Sequence, residues 1–260
     1  LDSSVKRVNE LAQEVARLNR EIAADETSGE TSGDLRDARD RAIDELATLI
    51  PVQVMERENG NVGVLVSGIS LVDAAHHGTL EVRVTGGQVR VALEGHSNPL
   101  QEGGGRIGGM LTLLNSDLPD ARASLDALAE ALVTEINAFH GTGTGPGGST
   151  GIDFFDPAGT LANNISLSSD ILADLGALSA GTGGISGEYR GGANDVALAL
   201  ASLRDADSAA LGTSYAEHFR TLATEIGFSV RSSLDAAEVH KTLSEQADVR
   251  RSSFSGVSTD

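Results

Sequence analysis

The residues with the clearest potential for chemistry are the glycines of the loop 141–151, which reads GTGTGPGGSTG. Gly143, Gly145 and Gly148 match the G-x-G-x-x-G pattern of dinucleotide-binding turns. That pattern holds a pyrophosphate only where a strand precedes it and a helix follows it, because the helix N-terminus supplies N–H groups. Here the apolar spacing predicts a helix before the loop. The sequence therefore favours a surface loop over a nucleotide site.

The lysines and histidines offer no recognisable catalytic set. A P-loop needs Lys directly after its last glycine, and the two lysines, Lys6 and Lys241, lie outside any glycine loop. The zinc motif H-E-x-x-H does not occur in the sequence. His76 and His77 are adjacent in a region that links strands, and neighbours on a strand point to opposite faces. We therefore expect a surface loop for this pair.

The densest charge cluster is the segment 34–41, which reads DLRDARDR. As an active site it would supply Asp37 and Asp40 as paired carboxylates. Neighbouring arginines keep such acids ionised, whereas a general acid needs a raised pKa. On a helix the same residues form ion pairs that each add ~0.2–0.5 kcal/mol. We interpret the cluster as a solvated or protomer-contacting face formed by Arg36, Asp37, Arg39, Asp40 and Arg41.

The segment 153–157, DFFDP, is the last candidate for chemistry. It lacks the alternating oxygen ligands and the closing Glu of a calcium loop. We expect Phe154 and Phe155 to anchor an irregular segment, with Asp156 and Pro157 starting a turn. The sequence thus predicts no catalytic, cofactor-binding or metal-binding residue, and we do not expect an enzyme.

Composition also limits the classes of partner. The formal net charge is −19, from 19 Lys and Arg against 38 Asp and Glu. Nucleic acids and anionic membranes are recognised through basic residues, so neither is an expected partner. The chain has no cysteine, which excludes disulfides and thiolate metal sites. Since 40% of the residues are apolar but only 3% aromatic, the core must consist of Ala, Leu, Val and Ile.

Apolar residues at helical spacing mark both ends of the chain. A first helix should end near the stretch 27–33, and a second should run from Asp34, a candidate N-cap, to Ile50. The last long helix starts at a capping box, Ser214 to Glu217. The stripes that the terminal helices are expected to bury are Val8, Leu11, Val15, Leu18 and Ile22 in the first and Phe219, Leu222 and Ile226 in the last.

Between these helices the apolar period changes to two. Apolar and polar residues alternate on both sides of Gly86-Gly87, which predicts a hairpin with a two-residue turn. The expected pairs are Val84 with Val89, Val82 with Val91, and Leu80 with Leu93. All six side chains then share one face. Asn59-Gly60 offers a second hairpin turn.

These elements predict an α+β fold. Burying both terminal stripes most simply packs the first and last helices together. The expected organisation is a discontinuous helical bundle of residues 1–50, 106–140 and 192–260, an inserted antiparallel β domain of residues 51–105, and an irregular Gly-rich segment, 141–191, packed on the bundle.

Four segments carry motifs of one family in that family's order: 8–23, like N-x-L-N-x-x-I; 34–46, like D-L-x-D-x-R-D; 136–155; and 253–260, like S-G-V-x-x-D-E-E. The residues that carry them include Asn19, Asn137, Phe154, Phe155, Ser255, Gly256 and Val257. Together they resemble the family of the first hook-associated protein of the bacterial flagellum, the hook–filament junction protein.

The resemblance implies a structural component that joins hook to filament, exported unfolded through the flagellar secretion apparatus to the cell exterior. It implies four partners: other copies in a ring, hook protein, the second hook–filament junction protein and a cytoplasmic export chaperone, the last through a C-terminal region beyond this chain. Both terminal polymerising helices are expected to lie outside this chain. No cofactor, nucleic acid or membrane is expected.

Three other interpretations stay open from the sequence. One is another axial flagellar protein, such as the second junction protein, hook protein or a flagellin-like subunit. The second is a nucleotide-binding enzyme that uses the loop from Gly143 to Gly151. The third is a coiled-coil signalling adaptor, which would lack the β insertion.

Overall fold

Helices and antiparallel strands together confirm the predicted α+β class. The computed structural model describes residues 1–28, 32–57, 60–100 and 104–255. The chain divides into two compact units, Leu1–Pro119 and Asp120–Asp260. The strands of the described residues lie between helices along the chain, as predicted.

The described residues of the first unit form two long helices, six strands and a third helix. In chain order they are α1 Asp2–Ser28, α2 Gly33–Leu49, β1 Gln53–Glu56, β2 Val62–Val66, β3 Ile69–Asp73, β4 His76–His77, β5 Leu80–Thr85, β6 Gln88–Leu93 and α3 Gly105–Thr112. Strands β1 to β4 form one sheet in sequence order, and β5 pairs with β6 alone.

In the described part of the second unit, the regular elements are helices, and the segments between them are turns and loops with isolated bridges. A π-helical turn, Leu113–Asp117, connects α3 to α4, and the boundary between the units falls near the start of α4. The remaining elements are α4 Leu118–His140, α5 Ser169–Ala173, a 3-10 turn Leu175–Ala177, α6 Asp195–Ser202 and α7 Tyr215–Ser255.

Helix α1 buries the stripe that its sequence predicts. Its buried side chains recur every three or four residues, so they share one face. They include Val8, Leu11, Val15, Leu18 and Ile22. Helix α2 packs beside α1 and buries Ala42, Ile43, Leu46 and Leu49. The N-cap of α2 is Ser32, so Asp34, the expected cap, instead lies in the first turn, where its charge suits the helix dipole.

The β5–β6 hairpin has the predicted register. Its pairs include Leu80 with Leu93, Val82 with Val91 and Val84 with Val89. Gly86 and Gly87 both have positive φ, 61° and 80°, as a type I′ turn requires. The β1–β2 pairing is also antiparallel, as predicted, but Asn59 of its expected turn lies outside the described residues.

Helices and strands share one hydrophobic core in the first unit. The core cluster joins side chains of α1, α2 and α3 to those of both sheets, for example Val15, Leu46, Val64, Leu80 and Ile107. The β segment is therefore covered by helices of its own unit. Residues 192–260 belong to the second unit, so the joint bundle of both chain ends stays a prediction.

In the described residues, no helix is sufficiently long and apolar to span a membrane.

Core packing in α1 gives a direct test of the helix facing. Leu18 is 2% exposed, and Leu-to-Ala changes in a core cost about 2–5 kcal/mol. The neighbouring Arg17 pairs with Glu21 on the exposed side, where single changes stay within ~0.5 kcal/mol. In urea titrations we expect Leu18→Ala to lower the free energy of unfolding by about 2–5 kcal/mol. Arg17→Ala should leave it nearly unchanged. Similar unfolding midpoints for the two variants would contradict this facing.

Candidate functional site

The Gly-rich loop after α4 is packed against its own unit. Thr144 is buried, and its N–H donates to Gly181 O at 3.0 Å. A Cβ at Gly145 would clash with the carbonyl of Gly176. Gly145 therefore permits close contact between two backbone segments. The element before the loop is a helix and not the strand that a dinucleotide-binding turn needs. The prediction of a surface loop is wrong for residues 143–145, because these residues are buried.

His140 at the end of α4 is a buried structural histidine. Its Nδ1 donates to Ile152 O at 2.7 Å, and its Nε2 accepts the N–H of Ser179 at 3.0 Å. This arrangement requires the neutral ring with its proton on Nδ1. The ring also meets Phe154 edge-on, with centroids 5.5 Å apart. His140 thus joins the end of α4 to two segments of the loop region, a role that sequence reasoning missed.

His76 and His77 lie at the surface as predicted, but they form the short strand β4 and not a loop. They pair with the end of β3 through the backbone. In the described part of the chain, no group of three or more His, Asp or Glu residues is placed to hold a metal ion.

The charge cluster on α2 does not form one uniform exposed face. Arg39, predicted to be part of a solvated or protomer-contacting face, is only 6% exposed. Its Nη1 donates to Gly60 O at 2.6 Å and to Asn19 Oδ1 at 3.3 Å. Burial lowers the pKa of Arg39, and the nearby charge of Asp40 opposes that shift. The prediction is wrong for Arg39 because this side of α2 covers α1 and the β1–β2 connection.

The other members of the cluster are exposed. Arg36 forms an ion pair with Glu26 of α1, so it links the two helices at their adjoining ends. Asp37, Asp40 and Arg41 lie at the surface. Their proposed contact with a neighbouring protomer stays a prediction.

Asn19 is the polar centre of the first unit. It is fully buried on α1, and its Nδ2 donates to Val62 O and Ala74 O, both at 2.8 Å. Its Oδ1 accepts the N–H of Val62 at 3.2 Å as well as the bond from Arg39. One side chain therefore holds α1, α2, the start of β2 and the β3–β4 turn together.

Three further asparagines use the same geometry. Each lies on a helix and pairs its amide with both the N–H and the C=O of a single residue, as a neighbouring strand would. We call these four side chains the asparagine clamps. They are Asn9 on Leu80, Asn19 on Val62, Asn115 on Val89 and Asn137 on Phe155.

The sequence carries a readable signal for two of the clamps. Asn9 follows the buried Val5 by four residues, and Asn19 follows the buried Val15 by four residues. A polar residue within an apolar stripe must find hydrogen-bond partners when it is buried. Asn19 and Asn137 were singled out for the family resemblance, but their backbone partners were not predicted.

Phe154 and Phe155 lie in the segment that Asn137 holds. Their rings meet edge-on with centroids 4.8 Å apart, and both are half-buried. Asn137 and His140, one turn apart on α4, thus fix this irregular segment to the helix. Ser255 ends α7, whereas Gly256 and Val257 lie outside the described residues, and the roles of these three stay predictions.

A carboxylate on α4 anchors the beginning of α7. Glu135 accepts hydrogen bonds from the hydroxyls of Ser208 and Tyr215, one on each carboxylate oxygen. Burial raises the pKa of Glu135, but these bonds and the backbone N–H groups of Ala209 and Ala210 outweigh it, so the pKa lies below its usual value. Burial and the Glu135 carboxylate both raise the pKa of Tyr215.

Beyond this anchor, α7 leaves its apolar side chains exposed. Leu222 is buried, but Phe219 is 56% and Ile226 47% exposed. The predicted stripe on α7 is therefore buried at one of three positions within this chain, and its packing at the other two stays a prediction. Further along the helix the exposed apolar side chains are Phe228, Val230, Leu234, Val239, Leu243 and Val249.

These features define a structural scaffold protein. Neutral side-chain clamps attach strands and loops to helices, and a long terminal helix presents apolar side chains outward. The chain belongs to the flagellar hook-associated protein FlgK family, because the model of that family's helical domain matches residues 1–155.

Named relatives and a solved structure agree with this assignment. Flagellar hook-associated protein 1 of Salmonella typhimurium is 30% identical over 167 residues, covering 60% of this chain. The Bacillus subtilis protein of the same name is 25% identical over 306 residues and covers the whole chain. The flagellar hook junction protein FlgK from Burkholderia pseudomallei matches with a TM-score of 0.50 and 27% identity over 59% of this chain.

The relatives are longer than this chain. It spans 30% of the Salmonella protein, 58% of the Bacillus protein and 30% of the solved Burkholderia chain.

Removing the central clamp should destabilise the first unit. In Asn19→Ala, the N–H and C=O of Val62 and the carbonyl of Ala74 lose their partner, and each unsatisfied buried group costs about 1–3 kcal/mol. We expect a loss of at least ~2 kcal/mol in the free energy of unfolding from denaturant titration. Asn163→Ala, at an exposed position, is the control and should change little. Equal effects of both changes would refute the role of Asn19.

The Glu135 anchor should make part of the stability depend on pH. A carboxyl whose pKa is depressed in the folded state adds stability above its unfolded pKa, and this is lost as pH falls through the folded pKa. We expect Glu135→Gln to be less stable than the native chain at pH 7, with the difference shrinking below about pH 4. Tyr215→Phe, which removes one donor, should show a smaller effect of the same sign. A difference that stays constant from pH 7 to pH 3 would contradict the anchor.

Proposed function

We propose that this chain is part of an axial structural subunit of the bacterial flagellum that joins hook to filament. The family assignment supports this function, since the relatives are named hook-associated proteins and one solved relative is named a hook junction protein. The geometric observation that carries the proposal is the exposed apolar surface of α7.

A helix of this kind needs a partner. After Leu222, nearly every side chain of α7 is exposed as far as residue 247. Isolated helices are marginal in water, and most helical stability in proteins comes from packing an apolar face. Ile226, Val230 and Leu234 are spaced by four residues and so share one face. We name these three residues the α7 stripe, and we propose that it packs in the assembled subunit.

The proposed organisation follows from the same surface. If α7 and α1 pack together, residues 1–50, 106–140 and 192–260 form one discontinuous bundle with residues 51–105 inserted and 141–191 packed on it. The exposed Arg36, Asp37, Asp40 and Arg41 then remain for contacts with a neighbouring copy. Arg39 is excluded from that face because it is buried.

The proposed setting is extracellular, after export of the unfolded chain through the flagellar secretion apparatus. The proposed partners are further copies in a ring, hook protein and the second hook–filament junction protein, with an export chaperone binding a C-terminal region beyond this chain. We propose no catalytic activity, since the described polar clusters serve packing.

The α7 stripe tests this function in the full-length protein. The triple variant Ile226→Ala, Val230→Ala and Leu234→Ala raises the helix propensity of α7. A loss of filament attachment in this variant therefore cannot come from a weaker helix. All three side chains are exposed, so we expect an almost unchanged melting temperature for the 260-residue chain. In a strain that carries only the triple variant in its full-length gene, we expect fewer attached filaments and smaller swimming halos.

Ser232→Ala, also at an exposed position on α7, is the control and should swim normally. Normal filaments with the triple variant would show that the α7 stripe takes no part in assembly. A strongly lowered melting temperature of the isolated chain would instead show that the stripe packs within it.

A further inference from the structure

The backbone of β5 has an outer edge, on the side away from β6. In an antiparallel pair, the residues whose N–H and C=O point to the outer edge alternate along the strand. Asn9 binds both groups of Leu80 from outside the pair, and this fixes the alternation. The outward residues of β5 are therefore Leu80, Val82 and Val84.

Only part of the hairpin's outer backbone is occupied. On β6, the outward groups of Val89 are bound by an asparagine clamp, and the C=O of Val91 accepts the N–H of Leu100 at 2.8 Å. On β5, the outward N–H and C=O of Val82 and Val84 have no hydrogen-bond partner among the described residues. Val84 is also 72% exposed. We call the outer backbone of Val82 and Val84 the open edge.

The open edge lacks the usual protection against strand pairing. Proteins block exposed edges with lysine or proline, with bulges, or with a covering helix or loop, because free N–H and C=O groups recruit another strand. Strand β5 contains no lysine and no proline, and it pairs with β6 residue for residue. Val82 and Val84 are β-branched, which favours extended backbone. The open edge is therefore suited to accept a strand.

The polar face of the hairpin beside the open edge carries two arginines. Arg83 and Arg90 are direct partners across the β5–β6 pair. Glu81 forms an ion pair with Arg83. Arg90 donates to the neutral Gln88, and among the described residues it has no carboxylate partner and its buried Nε has no hydrogen-bond partner. Two guanidinium groups thus share one carboxylate, so this face is locally basic although the net charge of the chain is −19.

We propose that the open edge binds an extended segment of another protein by strand addition, with an Asp or Glu of that segment opposite Arg83. In an antiparallel arrangement, one residue of the segment pairs with both groups of Val84, and the residue two positions later pairs with both groups of Val82. The residue between them lies opposite Arg83 and on the same face of the sheet. The recognised pattern is therefore apolar, acidic, apolar.

A second copy of this chain fits the open edge less well. If two copies paired Val82 with Val84 in both directions, Arg83 would face Arg83 of the other copy, and like charges directly opposite are destabilising. A pairing shifted towards Leu80 would need backbone groups that its clamp already binds. A pairing shifted the other way would need Gly86, whose φ of 61° is not that of a strand.

The inference rests on residues of the first unit alone. It does not depend on the proposed function, so strand addition can fail while the assembly role stands, or hold while that role fails.

Peptide titration of the 260-residue chain tests the open edge. The probe is the capped peptide ETVEVTE, whose central Glu is designed to lie opposite Arg83. One matched control is ETVKVTE, with the opposite central charge. The other is ETVEVTE with both valine nitrogens methylated, which cannot donate to the edge. NMR spectra of the isotope-labelled chain report where each peptide binds and how tightly.

We expect ETVEVTE to shift the amide signals of Val82 and Val84. It should bind roughly fivefold more tightly than ETVKVTE, because an opposite charge replaces a like charge across the strands. The methylated peptide should not bind. Equal affinities for the two charged peptides, binding of the methylated peptide, or signal shifts confined to other parts of the chain would each overturn the proposal.

Two variants at one position separate backbone pairing from side-chain contact. Val84→Pro removes an outward N–H but no bond to β6, and we expect it to abolish binding of ETVEVTE. Val84→Thr keeps that N–H and should bind like the native chain. Loss of binding in both variants would overturn the pairing through the backbone. Dimerisation of the native chain that Val84→Pro abolishes would show that a second copy occupies the edge, and would overturn the assignment to an acidic partner.

Discussion

The first unit depends on one kind of interaction, the pairing of a helix side-chain amide with the backbone of a strand. Strands at a sheet edge leave N–H and C=O groups unpaired, and burying them without partners costs free energy. Asn19 supplies both partners to Val62 and also reaches Ala74 and Arg39. At this one residue the helix side chain supplies the hydrogen bonds that a neighbouring strand would supply. A helix can therefore cover a strand that has few neighbouring strands.

The clamps also explain how a core with few aromatic residues can define one structure. Leu, Val, Ile and Ala side chains can pack in many arrangements. An asparagine amide that must bind both the N–H and the C=O of one residue instead fixes the position of its helix relative to that residue, because hydrogen bonds tolerate little variation in distance. Asn9 and Asn19 fix two different strands, β5 and β2, on the same helix α1. The separation of these strands along α1 is therefore set by the spacing of ten positions from Asn9 to Asn19.

Local patterns allowed much of the fold to be predicted. The β5–β6 register followed from alternation around Gly86-Gly87, and the α1 stripe from its spacing, because both are short-range consequences of side-chain period. Arg39 could not be placed in this way, since only the tertiary contact with Asn19 and Gly60 buries it. His140 and Glu135 are similar cases: their partners lie 12 to 80 residues away, and no local pattern shows them. Helix α7 is the opposite case. Its sequence has a clear apolar stripe at helical spacing, but most of these side chains are exposed within this chain.

The clamps are made of uncharged groups, which affects how the first unit responds to its surroundings. Ion pairs at the surface, such as Arg17 with Glu21, weaken as salt is added. An asparagine amide neither titrates nor attracts counterions, so the attachments of β2, β5 and β6 to their helices are insensitive to ionic strength and to acidity. In fresh water, in salt and in acid these strands should therefore stay attached to their helices, because the bonds that hold them carry no net charge.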